Sequence, residues 1–280
     1  MHRFQLLLPA AIMCLVALAC SEDSSQPASP PITLTQIPPG VDDALLFLRF
    51  DRNLVDESSY ERDVEFVGTP GYEEGCNDGA IKCGGDDYVY VPPDPSLEPE
   101  TVTVEAWISP KHDLTNQSGF NPLVVKYSGN FWNTVDGYDL WYQDSGAGGR
   151  VGFGIGTNGG TVRLHASLTT PLYASKLYYI VGTFDKYYAR LYINGDQVAA
   201  TPYTGFLSYR GGGVRIGGGV YHSYYGGWQY YTGLIDAVTI YPRAMTDEEI
   251  RERYHSCQER YLVRYGHGDG TKGDVREPGE

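Results

Sequence analysis

From Ala44 onward the chain is written in short stretches of alternating apolar and polar residues separated by turns. In Thr101–Ile108, Val102, Val104, Ala106 and Ile108 fall on one side and Thr103, Glu105 and Trp107 on the other, the period-two signature of a strand. Similar stretches predict strands at 44–50, 88–91, 123–126, 138–142, 150–156, 161–167, 178–184, 189–193, 214–217 and 234–241. Asn194-Gly195, between two alternating runs, supplies the two positive φ angles of a type I′ hairpin. No helix-period stretch separates consecutive strands, so a parallel α/β sheet is excluded in favour of an antiparallel sandwich or barrel. One helix is predicted near the end. Thr246-Asp-Glu-Glu249 forms a capping box, and the acidic first turn followed by Arg251 and Arg253 suits the helix dipole, giving a helix to about Tyr254.

The start of the chain has a different character. Arg3 precedes an apolar run from Leu6 to Ala19 that is too short for an ordinary membrane-spanning helix and reads as an export signal. Its end, Val16-Ala17-Leu18-Ala19-Cys20, resembles the lipobox of bacterial lipoproteins, with Ala17 where leucine is usual. The resemblance implies that the Cys20 thiol receives a diacylglycerol and becomes the N-terminus; a plain secretory signal is the alternative. Residues 20–40, rich in serine and proline, then form a tether that, fully extended, spans about 60 Å at about 3 Å per residue. The expected organisation is a signal over 1–19, the tether over 20–40, a β domain over 41–257 and a polar tail over 258–280. The expected location is the cell envelope, as an outer-membrane-anchored or cell-surface lipoprotein.

Composition adds two constraints. The net charge of −14 makes a nucleic acid a poor partner, because phosphate backbones would be repelled. Of five cysteines, Cys14 and Cys20 belong to the export segment, leaving Cys76, Cys83 and Cys257 for an oxidising compartment. Three single pairings are open; Cys76–Cys83, a short loop closure, is favoured, with Cys257 left over.

The stretches Leu48-Arg-Phe-Asp51, Cys83-Gly-Gly-Asp-Asp-Tyr-Val89, Thr101–Trp107, Leu191-Tyr-Ile-Asn-Gly195, Arg215-Ile-Gly-Gly218 and Gly233–Ile250, in this order, resemble the laminin-G-like jelly roll of the concanavalin A-like lectin/glucanase superfamily. The resemblance implies an all-β fold: a two-sheet antiparallel β-sandwich, six or seven strands per sheet, with one short C-terminal helix. It also implies a structural calcium ion beside the first and last strands, with Asp51, Asp56 and Asp236 in the matching positions.

This fold hosts both binding and cleavage, so function rests on sites. Glu61-Arg-Asp63-Val-Glu65 resembles the Glu-x-Asp-x-Glu run of retaining glucanases, in which Glu61 and Glu65 would be nucleophile and acid/base. Here the run lies near the start of the domain and carries Arg62 where an apolar residue is usual, so a solvated acidic turn is the preferred reading. Binding rests on aromatic exposure. The run from Tyr221 to Tyr231 is too dense for every ring to point inward, and Tyr221, Tyr225 and Trp228, with Trp132 elsewhere, are the candidate ligand-binding residues. The expected protein is a non-catalytic module for a glycan or a surface protein, reached from a lipid-anchored position. The alternatives are a glycosidase using Glu61 and Glu65, or a structural surface protein.

Overall fold

The computed structural model describes residues 41–76, 78–110, 120–126, 136–143, 149–158, 160–168, 172, 176–222 and 226–265. The export segment, Cys20 with its tether, and the tail beyond Tyr265 lie outside the described residues.

Two antiparallel sheets form a sandwich. The eight-stranded sheet runs β13 (Asp196–Pro202), β12 (Tyr188–Ile193), β11 (Tyr178–Phe184), β6 (Val102–Pro110), β17 (Gly233–Tyr241), β4 (Ala80–Cys83), β3 (Gly71–Glu73). Strand β1 (Leu46–Leu48) joins it by pairing with the second half of β17. The seven-stranded sheet runs β10 (Gly160–Leu168), β9 (Gly149–Thr157), β8 (Tyr138–Gln143), β7 (Phe120–Lys126), β14 (Val214–Ile216), β5 (Tyr88–Val91), β2 (Glu65–Val67). A two-stranded hairpin, β15 (Val220–His222) and β16 (Gly227–Gln229), forms a ladder of its own. The Asn194-Gly195 turn has the expected positive φ angles at both positions and joins β12 to β13.

Alternation decides what fills the sandwich. Val104, Ile108, Ile180, Phe184, Leu191 and Val238 of the larger sheet meet Val89, Leu140, Phe153 and Ile155 of the smaller one in a single buried core. Each such side chain contributes about 1.5–3 kcal/mol by leaving water. The other face of the larger sheet is buried as well. Helix α1 (Asp247–Tyr265) lies across it and closes a second apolar layer containing Phe47, Trp107, Val181, Met245 and Ile250. Trp107 stacks on Tyr179 at 4.5 Å and on Tyr254 at 5.9 Å. This explains why Glu105, on the polar side of its strand, is buried: Arg253 of the helix donates to it at 3.0 Å and the Tyr179 hydroxyl donates to its other oxygen.

The helix begins with the predicted capping box. The Glu249 amide donates to Thr246 Oγ1 at 3.2 Å, and the Thr246 amide donates back to the Glu249 carboxylate at 2.8 Å. It continues to Tyr265, past the expected end near Tyr254 and the domain boundary at 257, and Ile250, Tyr254 and Cys257 dock it on the sheet. The disulfide also differs from expectation. Cys76 is bonded to Cys257, with Cα atoms 6.0 Å apart, and Cys83 is free. The two cysteines favoured for pairing occupy opposite faces of one sheet: Cys76 joins the layer under the helix, whereas Cys83 points into the inter-sheet core. Burial pushes the Cys83 thiol up to about 12, so it stays protonated and inert.

Candidate functional site

The dense aromatic run divides according to strand alternation. Tyr231 is fully buried in the core. Val220 and His222 turn inward from β15, whereas Tyr221 between them faces solvent. Trp228 is its cross-strand partner. The two rings meet edge to face at 5.7 Å, with Tyr221 40% and Trp228 60% exposed. Such an exposed aromatic pair offers apolar faces beside polar rims, the surface a pyranose ring packs on. Tyr225 and Trp132 lie outside the described residues.

Beneath this hairpin is the outer face of the seven-stranded sheet. Cross-strand partners form one row along it: Glu65, Tyr90, Arg215, Val125, Asp139, Gly154, Arg163. The adjoining row carries Trp141, Gly152 and His165. The hairpin seats on this face, since Val220 packs with Phe120, Val125 and Trp141, and the His222 ring lies 5.3 Å from that of Phe120.

Asp139 is completely buried; the Gly154 amide points toward its carboxylate, and among the described residues neither oxygen makes a hydrogen bond of good geometry. Burial raises it to about 6, with the charge of Arg163 and the nearby Gly154 amide pulling the other way. Trp141 is buried too, and its Nε1–H has no acceptor. Burial, helped by the positive charge of Arg163, lowers His222 to about 4, so it is neutral at physiological pH. Sequence reasoning missed Asp139 and Trp141 because alternation in β8 reads them as the wet side of a strand. The signal that could have found them is β9, where Gly152, Gly154 and Gly156 alternate with Val151, Phe153 and Ile155 and leave the outer face bare of side chains.

The acidic run does not form a catalytic pair. Glu61 sits in an irregular segment at φ 46, and Glu65 opens the edge strand β2. Both are exposed, as is Asp63. Arg62 between them is the anchored residue: its guanidinium donates to Asp56 at 3.3 Å and to the Leu45 carbonyl and Ser96 hydroxyl. The run is therefore a solvated turn pinned by its arginine.

The three proposed calcium ligands do not act as a set. Asp56 accepts from the Phe47, Ser58 and Arg62 amides and from the Arg62 guanidinium, an environment already rich in positive donors. Asp51 and Asp236 do serve one loop: Asp51 accepts from the Asp78 and Gly79 amides, and Asp236 from the Cys76 amide. Among the described residues no three His, Cys, Asp or Glu side chains form one group. Each carboxylate accepts from backbone amides and so holds a loop, and the three do not stand together as one group.

A family model described as the concanavalin A-like lectin/glucanases superfamily matches residues 83–251, more than half of the chain. No curated protein matches significantly. Among solved structures, the receptor binding domain of botulinum neurotoxin mosaic serotype C/D is similar at 18% identity and TM-score 0.60, over 77% of this chain and 51% of that one. The serotype D binding domain matches at 18% and 0.59, over 77% and 52%. The binding domain of botulinum neurotoxin DC in complex with SialylT matches at 13% and 0.56, over 78% and 52%. The likeness is one of fold, and this chain spans about half the length of those chains.

Proposed function

The chain belongs to the concanavalin A-like lectin/glucanases superfamily, and from that premise we propose that it is an exported, non-catalytic module that binds a glycan and is displayed from the cell envelope by lipid on Cys20. The observation that carries the binding half is the Tyr221–Trp228 pair, exposed on a hairpin whose inner residues seat against buried Trp141. An aromatic pair held in the open against the hydrophobic effect is best explained by a ligand that covers it. The exposed positions of Glu61, in an irregular segment, and Glu65, on an edge strand, favour binding over cleavage, because a retaining pair faces its substrate across a cleft. Neurotoxin binding domains of the same fold, seen in complex with SialylT and with rat synaptotagmin II, support the fold's suitability for recognition.

The test is the full chain on an array of gluco-, galacto-, manno- and sialyl-oligosaccharides. At least one class binds, and Trp228→Ala weakens it about tenfold or more at an unchanged melting temperature, since the lost ring is an exposed contact. An empty array overturns the reading.

The anchor is supported by the sequence Val16–Cys20 and the tether that follows. Among the described residues no helix is long and apolar enough to cross a membrane. The expected result is partition of the expressed protein into a Triton X-114 detergent phase and a shift of the Cys20→Ser protein to the aqueous phase. Partition that ignores this substitution rules the anchor out.

A further inference from the structure

We propose that Asp139 and Trp141, lying over the glycine strip of β9, form a binding subsite for the hydroxyl groups of an uncharged sugar, distinct from the exposed Tyr221–Trp228 pair. This rests on the glycan-binding reading above. A Cβ added at Gly152 would fall 2.0 Å from the Trp141 indole, and one at Gly154 would fall 2.5 Å from Asp139 Oδ1. Both side chains therefore lie flat across bare backbone, a position that any side chain on the strip would deny them. The strip is what lets a carboxylate and an indole sit side by side against the sheet.

Their polar atoms are left over. Among the described residues the indole N–H has no acceptor, and the two carboxylate oxygens have no well-formed hydrogen bond, only the approach of the Gly154 amide. A buried acceptor or donor left unmade costs its full desolvation, so such groups persist where a ligand completes them. A hydroxyl group donates and accepts at once, and so can serve both the carboxylate and the indole. Arg163 sits across Gly154 from Asp139 and offsets its charge. That balance leaves little gain for a charged ligand of either sign, and the overall charge of −14 disfavours anions further. A neutral sugar fits the balance.

Asp139 has no solvent exposure in the unliganded chain, so the ligand displaces what covers it. Among the described residues, β15–β16 is the element seated on this face, through Val220 and His222. Its ladder is separate from both main sheets. A two-stranded hairpin is marginal by itself, so shifting it sacrifices the seating of two side chains and leaves the sandwich intact.

The test is titration calorimetry of the full chain with neutral gluco-, galacto- and manno-oligosaccharides, and with sialyllactose as the charged control. At least one neutral probe binds. Asp139→Asn weakens it about tenfold or more, and Trp141→Phe, which keeps a ring and removes the N–H, weakens it about fivefold. Neither protein loses its melting transition. Binding that survives both substitutions but is lost in Trp228→Ala overturns the subsite and leaves the glycan reading standing. Binding of sialyllactose alone overturns the neutral class. No binding of any probe overturns both.

Discussion

Removing the Cys76–Cys257 bond is expected to destabilise the domain strongly. The bond spans 181 positions in sequence. Closing a loop of that length in the unfolded chain corresponds to about 5 kcal/mol of lost chain entropy. What it joins amplifies the effect. Cys76 lies in the loop held by Asp51 and Asp236, and Cys257 lies in the helix that covers Trp107 and Tyr179. The Cys76→Ala, Cys257→Ala double variant should therefore unfold at a much lower urea concentration, and reducing agent should bring the wild-type protein to the same midpoint. Cys83→Ala is the control. It makes a small cavity in the inter-sheet core and leaves the response to reductant unchanged, because its thiol is not part of the bond. A wild-type midpoint insensitive to reductant would remove the bond from the account.

That pairing also marks how far sequence could see. Alternation located Tyr88–Val91 and Tyr178–Phe184 at their observed bounds, and the Asn-Gly turn and capping box where they stand, because each is a local choice. Strands β2, β3, β15 and β16 have three residues each, too few to show a period, and they exist only through the neighbours they pair with. Which cysteine meets which is a matter of sheet face. Two cysteines seven positions apart looked like a loop closure, yet the sheet separates them. The eight-stranded sheet exceeds the expected six or seven because β1 and β4 share one edge of β17.

The candidate site was half legible for the same reason. The density of rings, which could not all be inside, singled out Tyr221 and Trp228, and both are exposed. Asp139 was not. A carboxylate in an alternating strand reads as the solvent side, and in β8 that side is closed over. Asp51, Asp56 and Asp236 show the converse. The resemblance located aspartates that matter, and the hydrogen bonds assign them to holding backbone.

Asp139→Asn should make the protein more stable above pH 6, with a sign that can be worked out in advance. The folded carboxyl titrates near 6, against an ordinary value of 3.8, because burial penalises its charge more than Arg163 and the Gly154 amide favour it. A group raised on folding stabilises fully below its unfolded value and loses that contribution as pH rises through its folded one. Wild-type stability should thus fall between about pH 4 and pH 6 by up to about 3 kcal/mol relative to the variant, the equivalent of that difference in proton affinity. His222 works in the opposite direction. Held down near 4, it supports the fold above its ordinary 6.5 and withdraws that support as pH falls toward 4. The two partly cancel in any single pH curve, so the measurement is the wild-type minus variant difference in unfolding free energy across pH 4 to 8, which His222 leaves almost untouched. A flat difference would mean that Asp139 is not held as a strained buried carboxylate. A difference that opens between pH 4 and 6, together with loss of sugar binding in the same variant, would mark Asp139 as a residue whose cost to the empty protein is matched by its use to the loaded one.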